Sequence, residues 1–286
     1  MDGKIHISIV GLPASGKTTY LAALWHMVRE AGSKTALSFD RLSNGNYEHL
    51  NNLAKRWRAG NIQPRTQLSG AKDVSMQLKN GEGQKVEVSF PDLPGEDFSR
   101  MWERRDLDKG TLATLRAPAL VLIINGDTIK MPAWLAEWNK LRKHMGTAAH
   151  IAEPVEWSAD LAPTQVRIVD LLQMLMSGEL DIGERRLALL ISAWDRVEGE
   201  ELTPAEILDS KLPLLSQYLR SSRDPWIWKV WGLSAQGGEY EDPEKADNFP
   251  ETDKLRDLER ASDRIKVLDG STVTSDITKP LEWLIN

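Results

Sequence analysis

The sequence predicts a three-layer α/β fold: a mostly parallel sheet covered by helices on both faces, with one antiparallel edge hairpin. Three observations carry that expectation. Short β-rich runs alternate with amphipathic helical stretches along the chain. Two runs, ALVLIIN (119–125) and RLALLIS (186–192), are continuously apolar, as expected of strands buried on both faces. One pair of alternating runs is joined by Asn80-Gly81-Glu82-Gly83, residues that tolerate positive φ, and so reads as a hairpin.

In chain order, residues 4–10 (KIHISIV) form the first strand, and Gly11 to Thr19 a glycine-containing loop. From Thr18 to about Glu30 the pattern is helical, with Leu21, Leu24, Trp25 and Val28 on one face. Residues 36–42 read as a short strand and 46–59 as a helix striped by Leu50, Leu53, Ala54 and Trp57. Gly60 stops that helix and Pro64 keeps the chain extended. The hairpin strands follow: 73–79, alternating Val74, Met76 and Leu78, and 85–90, alternating Val86, Val88 and Phe90. The second runs directly into Pro91-Asp92-Leu93-Pro94-Gly95-Glu96. A polar helix over 97–116 ends near Pro118, ahead of the strand 119–125. A helix carrying Trp134, Leu135, Trp138 and Leu141 comes next. Residues 146–163 form a Pro-containing loop or insertion, and 164–177 a helix. After the strand 186–192, Thr203-Pro204 caps and opens a helix over 203–220. WIWKVWGLS (226–234) is the last buried strand. The acidic stretch 239–263 reads as a solvated loop and an exposed helix face, and LEWLIN as a short closing helix. There is no internal repeat or low-complexity linker, so 1–286 is expected to be one domain with an insertion around 146–180.

Composition narrows the function classes. A chain of 286 residues has ample length for a buried core. Its 42 acidic residues against 36 basic ones, net −6, argue against a nucleic-acid partner recruited by bulk charge. The absence of cysteine excludes disulfide frameworks, thiolate metal sites and cysteine nucleophiles. No apolar run approaches the roughly 18 to 20 residues of a membrane span, and the N-terminal apolar stretch is too short for a signal peptide. The expectation is a soluble, cytoplasmic protein. The five histidines show no paired metal spacing, and neither GxSxG nor GxGxxG occurs. Eleven Trp against 4 Phe and 4 Tyr favour core packing by large rings over a partner surface.

The chemistry-bearing motifs lie where the predicted strands end. Gly11-Leu12-Pro13-Ala14-Ser15-Gly16-Lys17-Thr18 fits GxxxxGK[ST] between a strand and an amphipathic helix, the context that this phosphate loop requires. Gly11 and Gly16 let the backbone curl so that N–H groups face phosphate oxygens, with Ala14, Ser15 and Thr19 completing the cradle. The helix adds the positive end of its dipole. Lys17 supplies an ammonium for the β and γ phosphates, and Thr18 a hydroxyl for Mg²⁺. Together they indicate a nucleoside triphosphate.

Three further elements follow. Asp92-Leu93-Pro94-Gly95 ends the second hairpin strand: Asp92 suits Mg²⁺ through a water, and Gly95 brings an N–H to a γ-phosphate with no Cβ in the way. A loop held only by that phosphate is released on hydrolysis, as in a switch. The competing reading is a surface turn built from common turn residues. Ser192-Ala193-Trp194-Asp195 ends the strand 186–192. A carboxylate there can accept two N–H bonds from guanine, a pair that adenine cannot offer; the competing reading is a helix-capping aspartate. Ser234-Ala235-Gln236-Gly237 follows the last strand, where backbone N–H groups can reach the guanine carbonyl, or where an ordinary polar loop would stand.

In this order the four elements resemble the GxxxxGK[ST], DxxG, [NT]KxD and SAx series of P-loop GTPases of the Ras-like, translation-factor-related class. VGLPASGKTTYLAALWHMV, DLPGE and the third element ending in Trp-Asp look closest to the bacterial double-GTPase families. The resemblance implies a P-loop NTPase fold, GTP and GDP as ligands, Mg²⁺ as cofactor, and a molecular switch. It also implies a second GTPase-like or effector partner in a bacterial conflict or defence system. A switch threonine is implied before the hairpin: Thr66, in Ile62-Gln63-Pro64-Arg65-Thr66, closing over Mg²⁺ and the γ-phosphate, with Thr35 as competitor. Arg65 is an internal arginine finger or a surface arginine.

The sequence departs from the family pattern at three places. Ala193 stands where lysine is usual and Ser192 where asparagine or threonine is usual, which bears on affinity; Trp194 is a candidate to stack on the base instead. Glu96 stands where Ras-like enzymes carry glutamine, and its charge repels phosphate. Slow intrinsic hydrolysis, raised by a partner or by dimerisation, is therefore expected. Two alternatives stay open. One is a P-loop kinase acting on a nucleotide or small molecule, using Arg185, Arg186, Arg220 or Arg223. The other is a non-hydrolysing nucleotide-binding scaffold.

Overall fold

The computed structural model describes residues 5–30, 32–63, 73–91, 101–106, 109–132, 140, 156–158, 161–221, 223–242 and 250–286. Among the described residues nine strands form one sheet in the order β2-β3-β4-β1-β5-β6-β7-β8-β9. They are β1 (Ile5–Gly11), β2 (Ser38–Asn44), β3 (Val74–Lys79), β4 (Lys85–Phe90), β5 (Ala119–Asn125), β6 (Arg185–Ser192), β7 (Trp226–Ser234), β8 (Lys266–Asp269) and β9 (Thr272–Thr274). The central strands β4, β1, β5, β6 and β7 pair in parallel. Antiparallel strands flank them at both edges, β2 and β3 on one side and β8 and β9 on the other. Helices lying within the described residues include α1 (Lys17–Arg29), α2 (Tyr47–Arg58), α3 (Lys109–Leu115), α4 (Thr164–Leu175), α5 (Trp194–Val197), α6 (Pro204–Lys211), α7 (Pro213–Arg220), α8 (Pro250–Arg256) and α9 (Lys279–Ile285).

The central strands are buried on both faces, and their alternation feeds two cores. Val121 and Ile123 of β5 pack with α1, α2 and α9, through Leu24, Trp57 and Leu281 among others. Leu120, Leu122 and Ile124 pack on the opposite face with α4, α6 and α7, through Ile168, Ile207 and Leu215. Trp25, Trp57, Trp194 and Trp231 are among the largest fully buried side chains, so at these positions the tryptophans fill the core.

Four elements differ from the sequence reading. The stretch 203–220 is two helices. Thr203 caps the first with a reciprocal Thr203–Glu206 box, but Pro213 has no N–H to continue it and opens α7 instead. The short pair β8 and β9 extends the far edge, turning at Gly270 with φ 59°. β2 pairs outside β3, so the hairpin strand β3 is not the edge. The helix expected over 97–116 is interrupted: the chain is helical at 101–104 but leaves that conformation at Arg105, whose φ is 56°, before α3; the rest of that stretch and the helix around Trp134 and Trp138 lie outside the described residues. Among the described residues no helix is long and apolar enough to cross a membrane.

Candidate functional site

β1 ends at Gly11, β5 at Asn125, β6 at Ser192 and β7 at Ser234. Gly11 pairs with Ile123 and Asn125 with Ser192, so parallel pairing gathers these ends at one edge of the sheet. The strand order reverses at β1, which lies between β4 and β5. Crevices outside the carboxyl ends of strands at such a reversal are where α/β sheets take ligands.

Between β1 and α1 the chain curls tightly. Ser15 N–H donates to the Leu12 carbonyl at 3.2 Å. Gly16 precedes α1 at φ 95°, and Ala14 also has positive φ, at 59°. Gly11 has no room for a side chain: a Cβ there would stand 2.6 Å from the Ile123 carbonyl oxygen and 2.6 Å from Ser15 Oγ.

The carbonyls of this loop are taken up by surrounding donors. Lys17 Nζ donates to Gly11 O at 2.7 Å and to Leu12 O at 3.2 Å. Asn125 Nδ2 donates to Ala14 O at 3.2 Å, and Ser192 Oγ to Ser15 O at 2.7 Å. A trans peptide carries its C=O and N–H on opposite sides. Turning the Gly11 and Ser15 carbonyls toward these donors turns the Leu12 and Gly16 N–H groups the other way, an arrangement that suits an anion. The loop also meets the N-terminus of the 13-residue α1. The two glycines, the side-chain-free approach and the ammonium of Lys17 fit a polyphosphate.

Beyond the loop lies a second polar cluster. Ala193 adopts φ 52° and turns the chain from β6 into the four-residue α5. Asp195 is thereby brought to the end of β7, where Ser234 Oγ donates to its Oδ1 at 2.6 Å. Gly237 N–H donates back to Ser234 Oγ at 3.0 Å. Asp195 is half-buried, and its carboxylate has acceptor capacity beyond the one serine. Ser192 touches the phosphate loop while Asp195, three residues on, touches the Ser234 loop. One short segment therefore joins the two ends of the cluster.

The structure thus brings together Gly11, Ala14, Ser15, Gly16, Lys17, Asp195, Ser234, Ala235 and Gln236, with Thr18 and Thr19 half-buried in the first turn of α1. Gln236 turns its side-chain amide back onto Gly238 O at 2.8 Å, so its backbone is the part available for recognition. Trp194 is not a stacking residue. It is 1% exposed, in the core behind the site, against Gly232, where a Cβ would come within 2.6 Å of its ring. Thr35 follows the C-terminal end of α1, a helix whose 13 residues span roughly 20 Å from the phosphate loop, too far to share a cation with Thr18. Arg65, Thr66, Asp92, Gly95 and Glu96 lie outside the described residues. Arg185 and Arg186 open β6 at the strand end opposite Ser192, and Arg223 lies just before β7 at that same edge. Arg220, in the last turn of α7, pairs with Asp209.

Sequence reasoning missed Asn125 and the tie made by Ser192. Asn125 carried a signal: it is the polar residue ending an otherwise apolar strand at the strand-order reversal. Ser192 was visible only as a departure from the usual residue.

A model of the family described as Double-GTPase 1 matches residues 8–284. Among solved structures, the chain resembles the GTPase-like domain of Ski7 from S. cerevisiae bound to GTP, with TM-score 0.43, 12% identity, and coverage of 87% of this chain and 46% of that one. It thus spans less than half of the Ski7 chain. It also resembles the SRb-GTP/SRX complex of the signal recognition particle receptor from Chaetomium thermophilum, with TM-score 0.41, 13% identity, and coverage of 85% and 96%. For a bacterial selenocysteine-specific elongation factor the TM-score is 0.35 at 15% identity, covering 82% of this chain and 26% of that one. None of the curated proteins matches the sequence.

Proposed function

The chain belongs to the Double-GTPase 1 family, and from that premise we propose that it is a Mg²⁺-dependent GTPase switch in which one crevice takes the whole of a guanine nucleotide. The observation that carries this reading is the continuity of the site. The phosphate loop and the carboxylate of Asp195 are linked through Ser192–Asp195, with bonds of 2.7 Å to Ser15 O at one end and 2.6 Å from Ser234 Oγ at the other.

In this reading Gly11 to Gly16 hold the α and β phosphates through backbone N–H groups. Lys17 exchanges its bonds to Gly11 O and Leu12 O for phosphate oxygens, neutralising charge near the γ-phosphate. Thr18 would offer Mg²⁺ a hard oxygen donor, joined by Thr66 and, through a water, by Asp92. A bound Mg²⁺ would supply neutralisation of phosphate charge. Asp195 takes the two N–H donors of guanine, and the Ser234–Gln236 backbone faces its carbonyl. Gly95 reports the γ-phosphate, Arg65 stabilises charge as it leaves, and Glu96, in place of a water-orienting amide, keeps intrinsic hydrolysis slow. A second GTPase-like protein or an effector then accelerates turnover, in a bacterial conflict or defence setting within the cytoplasm. The arginines that a kinase lid would need lie at the opposite sheet edge or pair with Asp209. That placement favours the switch over a nucleotide or small-molecule kinase.

Calorimetry with GTP, GDP and ATP, each with Mg²⁺, tests the reading together with Asp195→Asn. The unaltered chain is expected to prefer guanine nucleotides. The variant should lose affinity for GDP by on the order of 100-fold and gain it for xanthine nucleotides, because the donor pair at N1 and the 2-position is no longer matched. Equal affinity for ATP and GTP, or an Asp195→Asn variant with unchanged base preference, would overturn it.

A further inference from the structure

The loop that faces the base is held from behind by a helix outside the four motifs. Helix α2 lies between β2 and β3, and its Trp57 is fully buried. The indole Nε1 donates to the carbonyl of Ala235 at 2.8 Å. That carbonyl belongs to the peptide joining Ala235 to Gln236. Because the peptide is planar and trans, anchoring its oxygen on α2 points the Gln236 N–H away from α2.

Trp57 is itself braced. Arg264 is 4% exposed, and its guanidinium carbon stands 4.9 Å from the centre of the Trp57 ring. Nη1 donates to Trp57 O at 3.1 Å and to Tyr240 Oη at 2.9 Å, and Nη2 donates to Arg58 O at 3.1 Å. The two carbonyls are at the C-terminus of α2, the end of a helix that favours a cation. The backbone of Arg264 also abuts the same loop: a Cβ on Gly237 would stand 2.8 Å from the Arg264 Cβ and carbonyl oxygen. One buried cation therefore fixes the end of α2, the face of Trp57 and the far side of the Ser234–Gly237 turn. A buried indole N–H calls for an acceptor, and the one it finds here is the carbonyl of the Ala235–Gln236 peptide, whose N–H the proposed reading directs at the base.

We infer that Trp57 and Arg264 are positioning residues for base recognition: they set the orientation of the Ala235–Gln236 peptide and so the preference for guanine. The inference rests on the reading of the crevice as a guanine-nucleotide site.

The test uses the full chain and two variants. Trp57→Phe keeps an aromatic ring beneath Arg264 but removes the donor to Ala235. Arg264→Lys keeps the charge but loses the planar fork and the ring stacking. Kd is measured for GDP and ADP, each with Mg²⁺, alongside Tm. Trp57→Phe is expected to raise Kd for GDP by on the order of fivefold, the size of one lost hydrogen bond, and to leave Kd for ADP unchanged. The ADP/GDP ratio then falls by that factor. Arg264→Lys, tested in parallel in case the first variant folds poorly, should lower the same ratio. If either folded variant loses Tm while the ratio stays intact, the pair is purely structural and the inference is wrong. If the unaltered chain shows no preference for GDP over ADP, the reading of the crevice fails first and takes the inference with it.

Discussion

Replacing Ser192 by alanine removes one hydroxyl and no other contact of consequence, which makes it a clean probe of what holds the phosphate loop. The hydroxyl is buried and donates to Ser15 O at 2.7 Å, and Ser15 is itself 2% exposed. A methyl group in its place leaves a carbonyl with no donor and little access for water. An unsatisfied buried acceptor costs about 1 to 3 kcal/mol. Asn125 makes the companion tie, at 3.2 Å to Ala14 O, but that bond is exposed. Water can replace the Asn125 amide, so Asn125→Ala should cost under about 1 kcal/mol. The two variants are thus expected to rank. Urea unfolding of the ligand-free chain gives the stability loss, and calorimetry with GDP and Mg²⁺ gives the affinity loss. For Ser192→Ala the combined loss should reach about 1 to 3 kcal/mol, or roughly 5- to 150-fold if it falls entirely on binding. Equal effects of the two variants, or no effect of Ser192→Ala on either measurement, would refute the claim that the end of β6 orders the loop.

Two further expectations follow from the same geometry. Gly11→Ala pushes a Cβ to 2.6 Å from the Ile123 carbonyl oxygen, a backbone atom that cannot swing aside. It should lower stability by about 1 to 3 kcal/mol and abolish measurable binding of GDP, checked by thermal unfolding and calorimetry; unchanged binding would mean that the strand end does not approach the ligand. His26 packs on Trp57 with ring centres 5.2 Å apart. Burial holds its pKa below the usual histidine value; Glu30 opposes that shift, and Arg58 and Arg264 reinforce it. The unfolded chain therefore takes up this proton at higher pH than the folded one. The stability contributed by neutral His26 is fully present above the ordinary histidine pKa near 6.5 and is lost as pH falls below it toward the depressed folded value. Tm should fall over that window by at most one proton's worth, and His26→Gln should flatten the slope; an unchanged slope would assign the dependence to other groups.

What could be read from the sequence, and what could not, divides along physical lines. Strands with continuous apolar runs were legible: 119–125 coincides with β5, and 186–192 with all of β6 but its first residue. Burial on both faces leaves no ambiguity of period there. β8 and β9 were not legible, because strands of four and three residues carry no periodicity. Their one signal was Asp269-Gly270, a turn pair between short β-prone runs. Pro213 was in plain view, yet Leu215 and Leu219 continue the apolar stripe across it and hid the break. The phosphate-loop turn and the strand-end positions of Asp195 and Ser234 were legible because each depends on local backbone chemistry at a strand end. The tie between Trp57 and Ala235 was not, since it joins positions 178 residues apart and depends on where the helix inserted after β2 packs.

The substitution at Ala193 shows how the third motif divides its tasks. A lysine there would contribute a long side chain; alanine contributes only a backbone turn. The turn is left-handed, φ 52°, at a cost of about 1 to 2 kcal/mol for a residue with a Cβ. That cost is offset by what the turn places on either side. Ser192, before it, reaches the phosphate loop. Trp194, after it, drops into the core through the space that Gly232 leaves open. With the indole wedged there, α5 cannot rotate, and Asp195 is fixed within 2.6 Å of Ser234. A larger residue at 232 would expel the indole and carry Asp195 away from Ser234. The placement of Asp195 beside Ser234 therefore depends on a glycine two residues before the end of β7, even though Gly232 lies behind the crevice and below Ser234 on the same strand.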